Sequence, residues 1–316
     1  MVEATHQPSQ ALETGESPNR RVWLRFRDNR PAVMASVFLL VLIALALAWP
    51  LISSQGDVHS EAQFAAPSGG HWFGTDVHGR DLFGRVLAGT RISLMVGLVG
   101  ALVSLVIGVL WGATAGFLGG RCDNLLMRTV DVLYSLPSII FVIVLITTLE
   151  GVLQRWLQAT FGGGDGGETA RMLLLYAGLG AVSWLTMARI VRGQVLALRE
   201  RQFVEAARSL GLGTRAILWR HILPNVFGVV IVYLTLTLPA VVLYESFLSY
   251  LGLGIQPPRA SLGSLIAEGA AQINPIRVYW WMIVFPSGCL AALLMALNFL
   301  GDGLRDVFDP KADKDC

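Results

Sequence analysis

The sequence predicts an all-α integral membrane protein with six transmembrane helices, and three observations predict it. Of the 316 residues, 54% are hydrophobic and only 15% are charged. A soluble domain carries roughly 25% charged residues, so this chain has too little charge to cover a surface in water. Its apolar residues fall in long blocks rather than short periodic runs. A helix needs such blocks to cross a hydrocarbon core about 30 Å thick at roughly 1.5 Å per residue. Lys and Arg, finally, gather in alternate connecting segments, the charge pattern of a multi-pass membrane protein.

Taken in order, residues 1–30 form an N-terminal tail. The first 19 hold no Lys or Arg and no apolar core, which argues against a cleaved signal peptide. Uncharged stretches then run Pro31–Gly56, Ile92–Gly120, Val132–Leu149, Met172–Ala188, Ile222–Tyr244 and Val278–Gly301. The first is predicted as transmembrane helix 1 over residues 31–56, both targeting signal and anchor, followed by a loop over residues 57–91. The other five spans fall within residues 92–305, and residues 306–316 form a C-terminal tail. Pro137 and Pro286 lie inside two of the stretches, where neighbouring helices can satisfy the freed carbonyls. With the N-terminus inside, five basic residues precede the first span, two lie between the second and third, seven between the fourth and fifth, and three after the sixth. That is 17 of the 24 Lys and Arg residues on one side, so both termini are predicted to be cytoplasmic and residues 57–91 extracytoplasmic.

The second span carries Gly100, Ser104, Gly108, Gly112 and Gly116 at four-residue spacing. Lipid supplies no hydrophobic drive between helices, so small residues that let backbones approach are how membrane helices associate. A four-residue step on a 3.6-residue turn drifts by about 40°, so this row is expected to wind from one neighbour to another. The net charge of +2 identifies no partner, and Cys122, Cys289 and Cys316 have no metal or disulfide spacing.

The most informative segment is the arginine-rich loop over residues 196–225. Good helix formers run from Leu196 to Leu210, Gly211 and Gly213 break the pattern, and Thr214 is placed to cap a second short helix ending before Pro224. A basic helix–turn–helix can read DNA, but a loop tethered between two membrane spans is badly placed for it, and no nucleic-acid partner is expected. Within this loop Glu205-Ala206-Ala207, Gly211 four residues on and Leu223-Pro224 resemble the EAA loop of binding-protein-dependent ABC import permeases. His221 stands where the broad motif often has isoleucine, and His221-Ile-Leu-Pro-Asn225 is similar to the peptide and nickel branch. Three further segments resemble the C-type permease of dipeptide, oligopeptide and nickel importers: His71 to Leu94, Asp123 to Pro137, and Phe247 to Gly263.

That resemblance implies the type I ABC importer permease fold, with residues 92–305 as the permease core. It implies that Glu205, Ala206, Ala207, Gly211, Leu223 and Pro224 couple the chain to an ATPase, the two alanines seating closely and Glu205 offering a charge to a basic partner. The implied partners are a second homologous permease, two ATP-binding subunits carrying ATP and Mg, and an extracytoplasmic solute-binding protein, all in a bacterial inner membrane. The chain itself is expected to bind no cofactor and catalyse no reaction. A P-loop needs a Lys behind a glycine-rich turn, and the only lysines are Lys311 and Lys314 in the tail.

Several residues admit two readings. His71, Asp76 and His78 can be drawn as a metal site or as loop hydrogen bonding with Asp76 and Asp81 paired to Arg80 and Arg85; no metal site is expected. Glu245 is a gate or pathway candidate, as any ionisable residue in a span is, or a residue at the outer end of its helix. Asp131 with Arg128 reads as a boundary pair, and Arg189 and Arg192 as cations favouring a helix C-terminus. Residues 150–171 read as a short interfacial helix followed by a flexible glycine stretch. The cargo is expected to be a di- or oligopeptide, with nickel, glutathione or an oligosaccharide as alternatives on the same architecture. An ion-coupled secondary transporter would instead need charges near the bilayer midplane, where these spans are clean, and a scaffold without transport would leave the loop unexplained.

Overall fold

The computed structural model describes residues 24–52, 62–161, 166–257 and 259–308. Among them six helices are long and apolar enough to cross a membrane: Arg30–Trp49, Leu82–Leu118, Ser138–Thr160, Thr169–Arg199, Thr214–Tyr250 and Trp281–Val307. The first is the greater part of α1 (Arg30–Ile52), and Gly56, where the first span was expected to end, lies outside the described residues. The second belongs to α2 (Leu82–Leu118), whose 37 residues begin ten positions before the uncharged block does. An uncharged block marks where hydrocarbon begins; the helix runs on into polar surroundings because Asp81 caps it, its carboxylate accepting from the Gly84 N–H at 2.9 Å.

The chain then turns sharply. Gly119 and Gly120 both have positive φ (67° and 55°), a conformation in which only glycine is at ease, and α3 (Gly120–Ser135) leaves in a new direction. Pro137 does not sit inside a helix as expected. Leu136, immediately before it, is extended (φ −80°, ψ 135°), as the proline ring demands of its neighbour, and α4 (Ser138–Phe161) starts afresh. The expected interfacial helix after residue 150 is the continuation of α4. Part of the glycine stretch lies outside the described residues, and α5 (Gly166–Arg199) follows with 34 residues, double the uncharged block that marked it. Arg171 and Glu150 clamp α4 to α5 with two hydrogen bonds of 3.0 Å.

The arginine-rich loop is also built differently from expectation. A single helix over residues 196–210 does not form. Helix α5 stops at Arg199, the Arg201 N–H donates to the Leu198 carbonyl, and α6 (Gln202–Ser209) begins after that turn. Thr214 is the first residue of α7 (Thr214–Ile217) rather than its cap, a position held by Gly213. Nor does the chain break before Pro224. A π-turn over Leu218–Ile222 carries it into α8 (Leu223–Tyr250), with the Leu223 N–H bonded to the Leu218 carbonyl. Proline clashes with the carbonyl four residues earlier, and the wider turn relieves that clash. The Asn225 side chain donates to the His221 carbonyl at 2.6 Å. A short helix, α9 (Leu262–Ala271), opens on a capping box between Ser261 and Ser264, and α10 (Trp281–Phe308) completes the bundle.

Helix α2 is the axis of the bundle. Gly100 packs on Val241 of α8, while Gly108, Gly112 and Gly116 lie against Met187, Ala188 and Arg192 of α5. A Cβ at Gly108 would fall 2.6 Å from the Met187 Cβ, so the two backbones are as close as glycine permits. Between them Ser104 donates to the Ser183 carbonyl at 2.9 Å. Helix α1 packs against α10 and α2, with Ala32 against Gly303.

At the end of the bundle that holds α9, Asp76 is fully buried. One of its oxygens accepts from the N–H groups of His78 and Arg80 (2.8 and 2.9 Å), the other from the Arg80 and Arg85 guanidinium groups, both at 2.7 Å. Arg85 reaches on to Glu268 of α9 with bonds of 2.6 and 2.9 Å. The expected pairing of Asp81 with an arginine is replaced by its capping role and a 3.2 Å contact to His71. With Asp76 saturated and His71 turned to Asp81, the metal-site reading finds no convergent ligand set among the described residues.

Burial alone would raise the Asp76 carboxyl, but the Arg80 N–H, the Arg85 charge, the Arg80 side chain and the His78 N–H outweigh it and hold it below its ordinary 3.8. A depressed carboxylate stabilises the fold fully above its unfolded pKa and loses that contribution as pH falls through the folded value. The thermal midpoint of the detergent-solubilised chain should therefore be insensitive to Asp76 protonation above about pH 4 and decline below it. Asp76→Asn should flatten that acid limb. Asp76→Ala, which removes the carboxylate shared by two buried guanidinium groups and leaves them Glu268 alone, should cost roughly 3 kcal/mol at neutral pH; an unchanged midpoint would show the network to be dispensable.

Candidate functional site

The α6–α7 hairpin presents two faces. Val204 and Ala207 are buried against Ile217, Ile222, Val191 and Val195, which fixes the hairpin to the ends of α5 and α8. Glu205 and Ala206 are exposed, as are Phe203 (40%), Leu210 (82%) and Trp219 (61%). The two alanines do not form one surface: Ala206 faces outward, but Ala207 belongs to the chain's own core. The outward face is Phe203, Ala206 and Leu210, spaced i, i+3, i+7 on one side of the helix. Phe203 and Leu210 escaped the motif reading, although their spacing around Ala206 carried the signal.

Gly211 closes α6. Its φ is 80°, its N–H bonds to the Arg208 carbonyl, and the Leu212 N–H bonds to the Ala207 carbonyl at 3.2 Å, which is a Schellman cap. Leu223 is half-buried and Pro224 exposed, at the base where the π-turn becomes α8.

Further along the bundle, α5, α8 and the α3–α4 break enclose a groove of about 540 Å³. Tyr134, Ser138, Thr186, Tyr233, Thr237 and Tyr244 are among the polar residues that line it, beside apolar neighbours such as Leu133 and Phe141. The Arg189 guanidinium lies 4.0 Å above the Tyr134 ring and donates to Asp131 at 2.7 Å. Arg192 makes a two-pronged contact with Asp123, at 2.5 and 2.7 Å. The expected Arg128–Asp131 pair is therefore replaced by cross-helix pairs from α5 to α3, since residues three apart on one helix compete poorly with a guanidinium aimed across the contact. Arg199 donates to the Phe117 carbonyl at 3.1 Å and fastens the end of α5 to the end of α2.

Glu245 is near the end of its helix, as one of its two readings expected, and does not line the groove. It lies fully buried in α8, five residues before the helix ends. Its carboxylate accepts from Ser249 at 2.7 Å, from Ser93 of α2 at 2.8 Å and from Ser246 at 3.4 Å. Ser249 in turn accepts from the Ile255 N–H, and Ser93 from the Leu262 N–H. The residue thereby joins α2, α8 and the start of α9, which is a structural junction.

Comparison with known proteins agrees with this architecture. Residues 105–314 match the family described as binding-protein-dependent transport system inner membrane component, and residues 17–67 match the N-terminal TM domain of oligopeptide transport permease C. The oligopeptide transport system permease protein OppC of Escherichia coli (strain K12) is 46% identical, over 94% of this chain and 93% of that protein. The protein of the same name in Haemophilus influenzae is 41% identical, over 96% and 94% of the two chains. The dipeptide transport system permease protein DppC of Bacillus subtilis is 40% identical, over 92% and 84%. Six apolar helices and these matches define a multi-pass inner-membrane transport component of the type I ABC permease fold. The chain belongs to the binding-protein-dependent transport system inner membrane component family.

The hairpin's shape depends on its glycine cap. Gly211→Ala forces an L-residue into the left-handed region at a cost of about 1 kcal/mol, so amide exchange at Leu210–Leu212 should quicken while the spans stay protected. Gly211→Asn, which tolerates that conformation better, should be milder. Equal exchange in all three proteins would mean that the cap does not hold the hairpin.

Proposed function

We propose that this chain is the transmembrane permease subunit of an ATP-driven importer of di- or oligopeptides, forming half of the translocation pathway. The observation that carries the proposal is the two-faced α6–α7 hairpin: one face is locked into the ends of α5 and α8, and the other offers Phe203, Ala206, Leu210 and Glu205 to a partner. We assign that partner as an ATP-binding subunit, one of two in the complex, which also holds a second homologous permease and an extracytoplasmic solute-binding protein. The arginine-rich end with the hairpin is then cytoplasmic, as are both termini.

Mechanism follows from the continuity of the helices. Residues 181–186 line the groove and residue 199 ends the same helix, about 20 Å away at 1.5 Å per residue. Helix α8 likewise runs from the hairpin's π-turn to the groove at Tyr233 and Tyr244. A push on the hairpin is delivered to two walls of the groove at once. ATP binding on the partners, by favouring one arrangement of the hairpins, shifts the population between inward- and outward-open states. Tyrosine and threonine hydroxyls among apolar walls suit a peptide backbone, whose donors and acceptors recur whatever the side chains. Ions are a poorer fit, because the one carboxylate in α8, Glu245, is saturated by hydroxyl groups.

Leu210→Asp and Glu205→Arg should leave membrane insertion intact but separate ATP hydrolysis from peptide uptake in reconstituted proteoliposomes. Loss of one apolar anchor should reduce coupled uptake about tenfold or more. Full uptake in both variants, or a purified native complex without an ATP-binding subunit, would remove the proposal.

A further inference from the structure

The walls of the groove between α5, α8 and the α3–α4 break carry no Asp, Glu, Lys, Arg or His. A free peptide is charged at both ends at neutral pH, and its termini find no charge partner inside. A cation stands at the rim instead. On α5, Val182 and Thr186 line the groove, and Arg189 is the next position on that face at the three-to-four-residue spacing of a helix. It lies about 4.5 Å further along the axis, between the groove and the hairpin packed on the end of α5. Its guanidinium is held 4.0 Å above the ring of Tyr134, itself a lining residue.

Arg189 and Arg192 both reach from α5 to α3, yet they are used differently. Arg192 gives Nε and Nη2 to the two oxygens of Asp123, whose side chain is only 10% exposed. Arg189 gives Nη2 alone to one oxygen of Asp131, whose side chain is 65% exposed. The Nε and Nη1 of Arg189 have no hydrogen-bond partner among the described residues. An ion pair that open to solvent adds little to stability, so its partners can be exchanged at small cost. A guanidinium offers five donors in a planar fork, to which a carboxylate bonds with both oxygens. The fork of Arg192 is filled; that of Arg189 is mostly unspent, and it stands beside the groove.

We infer that Arg189 is a specificity-determining residue that binds a carboxylate of the cargo at the hairpin-side rim of the groove, trading its single bond to Asp131 for the peptide. The inference rests on the peptide-importer reading proposed above. Asp131 neutralises the cation while the groove is empty and competes with the cargo when it is filled. Tyr134, beneath the guanidinium, keeps the cation at the rim during the exchange. The carboxylate can be the C-terminus of the peptide or an acidic side chain, since the fork reads the same two oxygens in either.

The assembled complex, reconstituted in proteoliposomes with saturated solute-binding protein, can be tested for ATP-driven uptake of tri-alanine, its C-terminal amide and Ala-Asp-Ala amide. One binding protein serves every arm, so its own preference cancels when each variant is compared with the wild type. Arg189→Gln should lower the acid-to-amide uptake ratio about fivefold, the scale of one solvent-open charge pair. Arg189→Lys should keep part of the ratio, and Asp131→Asn, which removes the competing carboxylate, should raise it. If Arg189→Gln also lowers Ala-Asp-Ala amide relative to tri-alanine amide, the rim takes any carboxylate; if it does not, the rim takes the C-terminus, and both results support the inference. Peptide uptake with an unchanged ratio in Arg189→Gln and Asp131→Asn would overturn it and leave the importer reading standing. So would an equal fall for all three peptides, the mark of a purely structural pair. Should the Arg189→Gln complex fail to assemble, Asp131→Asn decides by the same ratio. A wild-type complex that takes up none of the peptides would remove the importer reading and this inference with it.

Discussion

Between two apolar helices in lipid no water is released on contact, so the hydrophobic effect does not draw them together. What remains is contact area, and contact area depends on how near the two backbones can come. The row of small residues on α2 meets this constraint: Gly108, Gly112 and Gly116 bring α2 directly onto the backbone of α5, and Gly100 seats Val241 of α8. The rest of the arrangement follows. Because α2 packs closely on both α5 and α8, and the hairpin packs on the ends of those two helices, the three helices and the hairpin share one continuous core.

The two ends of this rigid core are held in different ways. At the α9 end a buried carboxylate, two arginines and Glu268 lock the segment before α2 to α9, with Asp76 using both oxygens twice over. Such pairs add little net stability because desolvation offsets their attraction, but they fix geometry, since Arg85 bonds Asp76 and Glu268 together. At the α6 end the arginines of α5 reach sideways to Asp123 and Asp131 of α3, and these pairs are more exposed and more easily exchanged.

Much of this was legible in the sequence. Composition and block length gave six spans because lipid imposes both, and the four-residue row of small residues on α2 was visible because its cause, backbone approach, acts through single residues. Helix ends were less legible. The uncharged blocks reported hydrocarbon thickness, whereas α2 and α5 continue well past it under the control of Asp81 and of the Arg171–Glu150 clamp. The pairing of Asp76 with two arginines, and of Arg189 and Arg192 with α3, depends on which elements the fold brings together, and no local pattern encodes that. The partners of Glu245 were hidden for the same reason. Its hydroxyl partner on α2, Ser93, lies 152 residues away in the chain. The motif pointed to the hairpin segment, but which alanine faced outward was settled only by packing against Ile217 and Ile222.

The π-turn at Leu218–Ile222 sets a phase. Each residue of an α-helix advances the azimuth by about 100°, so the extra residue accommodated there turns everything upstream by that angle relative to an uninterrupted α8. The orientation of Phe203 and Leu210 about the bundle is thus written partly in a winding defect some ten residues away. A chain lacking Leu218 or Trp219 would keep Glu205–Gly211 and His221–Asn225 intact in its sequence yet aim the same side chains at a different quadrant.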